Sequence, residues 1–181
     1  MSGLNKVLQG VATLRGKYPV LPYSQPPLSM MSILTALEEF TECVRYLNTR
    51  RSKGAILQLS DEDSVQDALY LMLRPWITDL IWESPGEKVA NRFSIKDFFS
   101  KRLKVVIEAK FIRDREHGKT ISKELNDDIE TYRYHPNCDD LIFFIYDPDG
   151  NIPDSSALLH HVAQARTYSD KVLNCYCVIK P

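Results

Sequence analysis

Apolar and polar residues follow three different periods along this chain, and each period predicts a different element. From Ser32 to Asn48 the residues Ile33, Leu37, Phe40, Val44 and Leu47 recur every three or four positions, which puts one apolar stripe on a single helix. Arg45, Arg50, Arg51 and Lys53 gather at its basic end, where positive charge suits the helix dipole. A second helix is predicted to open at Ser60, its N-cap, with Asp63 in the first turn, and to bury Val65, Leu69, Met72, Trp76 and Leu80. Pro75 kinks or ends it, because proline lacks the helical donor and restricts Arg74. Past a turn at Ser84-Pro85-Gly86 the period shortens to two. Phe93–Phe99 and Leu103–Phe111 then read as a hairpin with the basic tip Ser100-Lys101-Arg102.

The second half alternates strand and helix. Thr120–Tyr134 carries Ile121, Leu125, Ile129 and Tyr132 on one side of a helix, and Leu141–Tyr146 is an unbroken apolar strand of the kind covered on both faces. Strand, helix and strand make a βαβ crossover. Asp147-Pro148-Asp149-Gly150 is a turn, Ser155–Thr167 a helix and Val172–Ile179 a last strand. The expected fold class is therefore α/β, a mixed central sheet flanked by helices. Gly10, Gly16, Pro19, Pro22, Pro26 and Pro27 make the first thirty residues an extended arm.

Composition narrows the setting. A chain of 181 residues with 44% hydrophobic content supports one sizeable core. Its apolar runs are too short for a membrane span, and Met1–Gly10 lacks the pattern of a signal peptide, so a cytoplasmic protein without membrane contact is expected. Cysteines 43, 138, 175 and 177 suit a reducing compartment. Cys175 and Cys177 share a strand face, where they either pack in the core or form half of a zinc site with no second pair. A net charge of −1 argues against indiscriminate polyanion binding. Basic residues nevertheless outnumber acids between Ser84 and Lys123, a bias that either faces phosphate or is a solvated surface.

The chemistry sits on Leu103–Phe111. Val105, Ile107, Ala109 and Phe111 point one way, while Val106, Glu108 and Lys110 point the other. A carboxylate and an ammonium side by side on an apolar strand are costly unless they serve one another or a ligand. Asp97 lies eleven residues before Glu108 on the partner strand, where hairpin geometry brings the two acids together. Two oxygen ligands for a hard cation beside a lysine are what phosphodiester hydrolysis requires.

These residues resemble the PD-(D/E)XK, or restriction-endonuclease-like, nucleases, in which an Asp and a Glu-x-Lys lie on adjacent strands. From Phe40 to Pro181 the chain looks like the branch similar to the DpnII and MboI restriction enzymes. The matching stretches are Glu62 with Val65-Gln66-Asp67, Asp97-Phe98-Phe99, Val105 to Phe111, Glu124-Leu125 with Asp128-Ile129, Tyr132, His135 to Cys138, and Phe144 to Pro148. Val89 to Lys96 departs from the usual glycine-rich approach to the first acid, with Lys96 in place of an aliphatic residue.

The resemblance implies a nuclease-like domain over residues 56–181, preceded at 1–55 by an arm and a helix packed on it. It implies a metal-dependent nuclease acting on DNA in a prokaryotic antiviral or restriction system, with Mg²⁺ or its substitute Mn²⁺ as cofactor. Asp97 and Glu108 hold the metal, Lys110 polarises the attacking water and the product carries a 5′-phosphate. Glu62 either adds a further metal ligand or supplies helix N-terminal charge. Gln66 either orients substrate or caps a backbone group. Asp128 and Tyr132, four residues apart on one helix face, support the site from behind, or Tyr132 is ordinary core. Lys101, Arg102, Arg113, Arg115 and Lys119 are candidates for phosphate contacts. His135 is a cap or a packed side chain, and His160-His161 has no assigned role. A homo-oligomer or a larger defence complex is the expected partner arrangement. The competing expectation is an inactive nuclease-fold module that binds nucleic acid or a protein partner.

Overall fold

The computed structural model describes residues 28–49, 54, 56–85, 95–169 and 171–181. The N-terminal arm and the segment Val89 to Ser94 before Asp97 lie outside the described residues. Among the described residues eleven elements follow in order: α1 (Met30–Glu38), α2 (Phe40–Thr49), α3 (Glu62–Leu73), β1 (Ile81–Pro85), β2 (Ile95–Ser100), β3 (Val105–Phe111), α4 (Arg115–Arg133), β4 (Asp140–Tyr146), α5 (Ser155–Val162), β5 (Ala165–Thr167) and β6 (Val172–Lys180). The strands form one mixed sheet in the order β1-β2-β3-β4-β6-β5. β3, β4 and β6 run parallel, joined by the crossover helices α4 and α5, while β1, β2 and β5 are antiparallel to their neighbours.

Two apolar clusters cover the sheet. On one face α1, α2 and α3 bring Ile33, Leu37, Phe40, Val65 and Leu69 onto Val105, Ile107, Ala109, Ile142 and Phe144. On the other, α4 and α5 bring Ile121, Leu125, Ile129, Leu158 and Val162 onto Val106, Leu141, Phe143, Ile145 and Cys175. The period-two alternation of β3 therefore sends alternate residues into different cores. β4 is buried on both faces, which is why its sequence is continuously apolar. Cys177 packs partly buried beside Cys175 in the second cluster, so that pair belongs to the core. No helix among the described residues is long and apolar enough to cross a membrane.

Several local expectations change. The first helix is two, broken at Glu39, whose N–H returns to Thr35 and Leu37 carbonyls; the apolar stripe continues across the break through Phe40. The N-cap of α3 is Asp61 rather than Ser60, because Asp61 and Ser64 exchange reciprocal hydrogen bonds. α3 stops at Leu73 with Arg74 as its C-cap, so Trp76 falls beyond the helix and is 55% exposed, while Ile77 and Leu80 turn inward. Ser84 and Pro85 belong to edge strand β1, paired with Lys96 and Ile95, rather than to a turn. The helix expected over Ser155–Thr167 ends at Val162, and β5 follows.

The sheet positions the site through its register. β2 and β3 pair at Ser100–Val105, Phe99–Val106 and Phe98–Ile107. The next step along both strands brings Asp97 and Glu108 level, at the middle of β3. The closed end of the hairpin is fixed by Asp79, whose carboxylate accepts from Ser100 Oγ at 2.9 Å and from the Arg102 N–H at 2.8 Å.

Candidate active site

Asp97 does not continue the backbone ladder. Its Oδ2 instead accepts the Ala109 N–H at 2.7 Å, which anchors the carboxylate directly beside Glu108. Glu108 is only 4% exposed and accepts a hydrogen bond from the Tyr132 hydroxyl at Oε1. Lys110, on the same face of β3, places Nζ 3.5 Å from Asp128 Oδ2. Asp128 and Tyr132 are one helical turn apart on α4, so one helix face supports both the carboxylate and the ammonium of β3. Glu62 comes from the first turn of α3, where its Oε2 accepts the Phe111 N–H at 3.4 Å.

The electrostatics follow from this crowding. Burial drives Asp97 up to about 6, against the Ala109 hydrogen bond and the Lys110 charge, with Glu62 and Asp128 pushing in the same direction as burial. Burial also raises Glu108 well above the usual carboxylate range, and the charges of Asp97 and Asp128 add to it. The two carboxylates are coupled, and as a pair they give up their protons less readily than free carboxylates do. Burial works against the Lys110 ammonium, yet Asp128, Glu108, Glu62 and Asp97 together outweigh it and raise its pKa. Burial raises Asp128 as well.

Such a site carries more negative charge than one lysine balances, which is the donor chemistry that a divalent cation satisfies. Mg²⁺ needs only one or two carboxylates because it keeps several of its waters. Among the described residues no group of three or more His, Cys, Asp or Glu stands close enough to hold a metal. Glu62 is thus not gathered with Asp97 and Glu108 into a three-acid cage.

An open cleft of ≈ 450 Å³ leads to Lys110 between the N-terminal turns of α3 and α4, lined by Glu62, Lys110, Phe111, Arg113, His117 and Glu124 among others. Of the basic candidates, Arg113 lines this cleft. Arg115 is exposed in the first turn of α4, and Lys119 pairs with Glu116 at 2.5 Å and faces α5. Lys101 and Arg102 sit at the closed end of the hairpin, more than roughly 10 Å of strand rise from Glu108. Arg102 is engaged by Asp79 there, so neither joins the acids. Gln66 lies in a separate groove of ≈ 500 Å³ with Asp63, Asp67, Tyr70, Trp82 and Phe98. His135 is buried, accepts the Asn137 N–H at Nδ1 and packs edge-on against Phe99, a packing role.

Sequence reasoning missed His117 and singled out Glu124 only for its resemblance to the family pattern. The signal was present: positions 117, 124 and 128 are separated by seven and four residues, hence share one face of α4.

A family model, REase_DpnII-MboI, matches residues 31–179 of the chain. No curated protein and no solved structure matches it.

Proposed function

The chain belongs to the DpnII-MboI restriction endonuclease family, and from that premise we propose that it cuts DNA by metal-dependent hydrolysis at Asp97, Glu108 and Lys110. The observation that carries this reading is the convergence of two buried carboxylates and a lysine on adjacent strands, braced by Asp128 and Tyr132. Asp97 and Glu108 would hold Mg²⁺, or Mn²⁺ in its place. The cation, when bound, neutralises the scissile phosphate and makes a nearby water more acidic.

The chain's own residues supply the rest. The Ala109 N–H fixes the Asp97 carboxylate, and the Tyr132 hydroxyl fixes that of Glu108, so neither acid has to reorganise when substrate arrives. Lys110 stays protonated among its four acids and presents a positive charge to the attacking water and to the phosphate, whose cleavage leaves a 5′-phosphate. Asp128 orients that ammonium. Glu62, over the same cleft, adds negative charge that steers the cation inward, and Arg113 meets the DNA backbone. Gln66 borders the neighbouring groove, on the substrate side of α3. A cytoplasmic DNA-cutting enzyme endangers its own host, so the activity serves antiviral defence or restriction and is controlled by an oligomer or a partner chain.

Purified protein is expected to nick supercoiled plasmid with Mg²⁺ or Mn²⁺. Asp97→Ala and Lys110→Ala should each lower the rate by at least about a hundredfold, the scale of losing one transition-state charge contact. Cleavage that survives undiminished in both variants sinks the assignment, and absence of cleavage by the wild type with any divalent cation and DNA form favours a binding module.

A further inference from the structure

His117 is the feature of the cleft that the proposed chemistry leaves unused. Its side chain is only 8% exposed, and its Nε2 is one of two buried side-chain polar atoms, among the described residues, that lack a hydrogen-bond partner; the other is Asp128 Oδ2. An unmet buried donor costs about 1–3 kcal/mol, so its retention points to a use. The tautomer is set by the backbone: Nδ1 accepts the Arg113 N–H at 3.4 Å, which leaves the ring proton on Nε2. His117 lines the cleft that also holds Lys110 and Arg113, while its Nε2–H is itself buried.

The group standing over that donor is an acid. Glu124 Oε1 lies 3.4 Å from Nε2, close enough for electrostatic contact but outside hydrogen-bond geometry, and the Glu124 side chain is 47% exposed. An exposed glutamate loses little by swinging into solvent. His117 also occupies the first turn of α4, where the helix dipole favours an anion. The backbone donor of His117 is already taken, since Asp114 accepts its N–H at 2.8 Å, whereas its imidazole Nε2–H is not hydrogen-bonded.

Resting on the nuclease reading above, we propose that His117 Nε2–H is a binding donor for a DNA backbone phosphate beside the scissile one, masked in the free protein by the Glu124 carboxylate that the phosphate displaces. Glu124 then acts as an internal stand-in for the phosphate. Its negative charge weakens binding of the wrong anions and is expelled only by a polyanion that Lys110 and Arg113 also hold.

The test is a double-mutant cycle on the affinity of the full chain for a fluorescent DNA duplex, measured by anisotropy without divalent cation. Glu124→Gln should tighten binding and His117→Phe weaken it, each by roughly tenfold, the worth of one charge-assisted contact. His117→Gln, which keeps a donor near Nε2, should restore most of the loss. In the His117→Phe background Glu124→Gln should gain almost nothing. A gain from Glu124→Gln that persists without the imidazole reflects simple loss of surface charge and overturns the proposal, as does unchanged affinity in His117→Phe. Should His117→Phe unfold, failure of His117→Gln to keep wild-type affinity within a few-fold overturns it equally. A wild type that cleaves plasmid while these variants behave alike loses only this inference, whereas one that neither binds nor cleaves DNA loses the nuclease reading too.

Discussion

Glu108→Gln is expected to abolish cleavage and, in the same protein, to raise stability at neutral pH when no divalent cation is present. The loss should reach about a thousandfold, since an amide is a poor ligand for a hard cation and the site then keeps only Asp97. The gain follows from linkage. Asp97 and Glu108 have raised pKa values in the folded chain, so between about pH 4 and the folded values the native state holds protons that the unfolded chain has released. The native state binds more protons there, so stability falls as pH rises from about 4 towards the folded values, about 6 for Asp97. For Asp97 alone, a rise from 3.8 to about 6 corresponds to at most about 3 kcal/mol. Glu108→Gln removes one of the two burdens while its Oε1 still accepts from Tyr132. Urea midpoints of the metal-free wild type should drop between pH 5 and pH 8, and the drop should shrink in the variant. Saturating Mg²⁺ should restore the wild type at pH 8 but not the variant, because a ligand at a hundred times its Kd adds about 2.7 kcal/mol. A wild type more stable at pH 8 than at pH 5 without metal would contradict the picture of a strained, cation-seeking acid pair.

How much of this was legible in the sequence depended on how local the cause was. β3 announced itself because an apolar strand was interrupted twice on one face, by Glu108 and Lys110, and period-two geometry leaves no other reading. The βαβ unit and the doubly covered β4 were equally readable from unbroken hydrophobicity. β1 was not, since five residues containing Glu83, Ser84 and Pro85 carry no strand pattern, and only pairing with β2 makes them extended. β5 is three residues long and hides in what reads as the tail of a helix. Trp76 was misplaced because periodicity continues on paper past a proline that ends the helix in space. Among the site residues, Asp97, Glu108, Lys110, Asp128 and Tyr132 stand together because register and helix face bring them there. Lys101 and Arg102 do not, because charge bias gives no distance: they share a hairpin with the acids but occupy its other end. His117 was invisible as a donor, since its tautomer is fixed by a backbone N–H of Arg113 that no sequence pattern reveals.

Gly118 packs against the backbone of a neighbouring loop, and Gly118→Ala is expected to be the most damaging glycine-to-alanine change among the described residues. A Cβ there would meet Asn151 O at 2.4 Å, Asn151 C at 2.7 Å and Ile152 N at 3.0 Å, all backbone atoms that have no rotamer to change. Nor can the loop give way easily, because the buried Asp147 carboxylate accepts the Asn151 N–H at 2.8 Å and the Ile152 N–H at 2.9 Å. The helix must move instead. Alanine brings about 1 kcal/mol of better helix propensity, but overpacking against a fixed backbone costs more, so a net loss of about 2–4 kcal/mol is expected. For a chain of this length that lowers the melting temperature by roughly 5–15 °C. Gly150→Ala is the matched control: its φ of 65° strains an alanine, but nothing lies within 4 Å, and the cost should stay near about 1–2 kcal/mol. Because the displaced turn of α4 continues into Glu124, Asp128 and Tyr132, Gly118→Ala should also lower cleavage at temperatures where it is still folded, whereas Gly150→Ala should not. A Gly118→Ala protein that melts with the wild type would mean that the α4 N-terminus is not pinned by the Asn151 loop, and the rigidity assigned to Asp128 and Tyr132 would need another source.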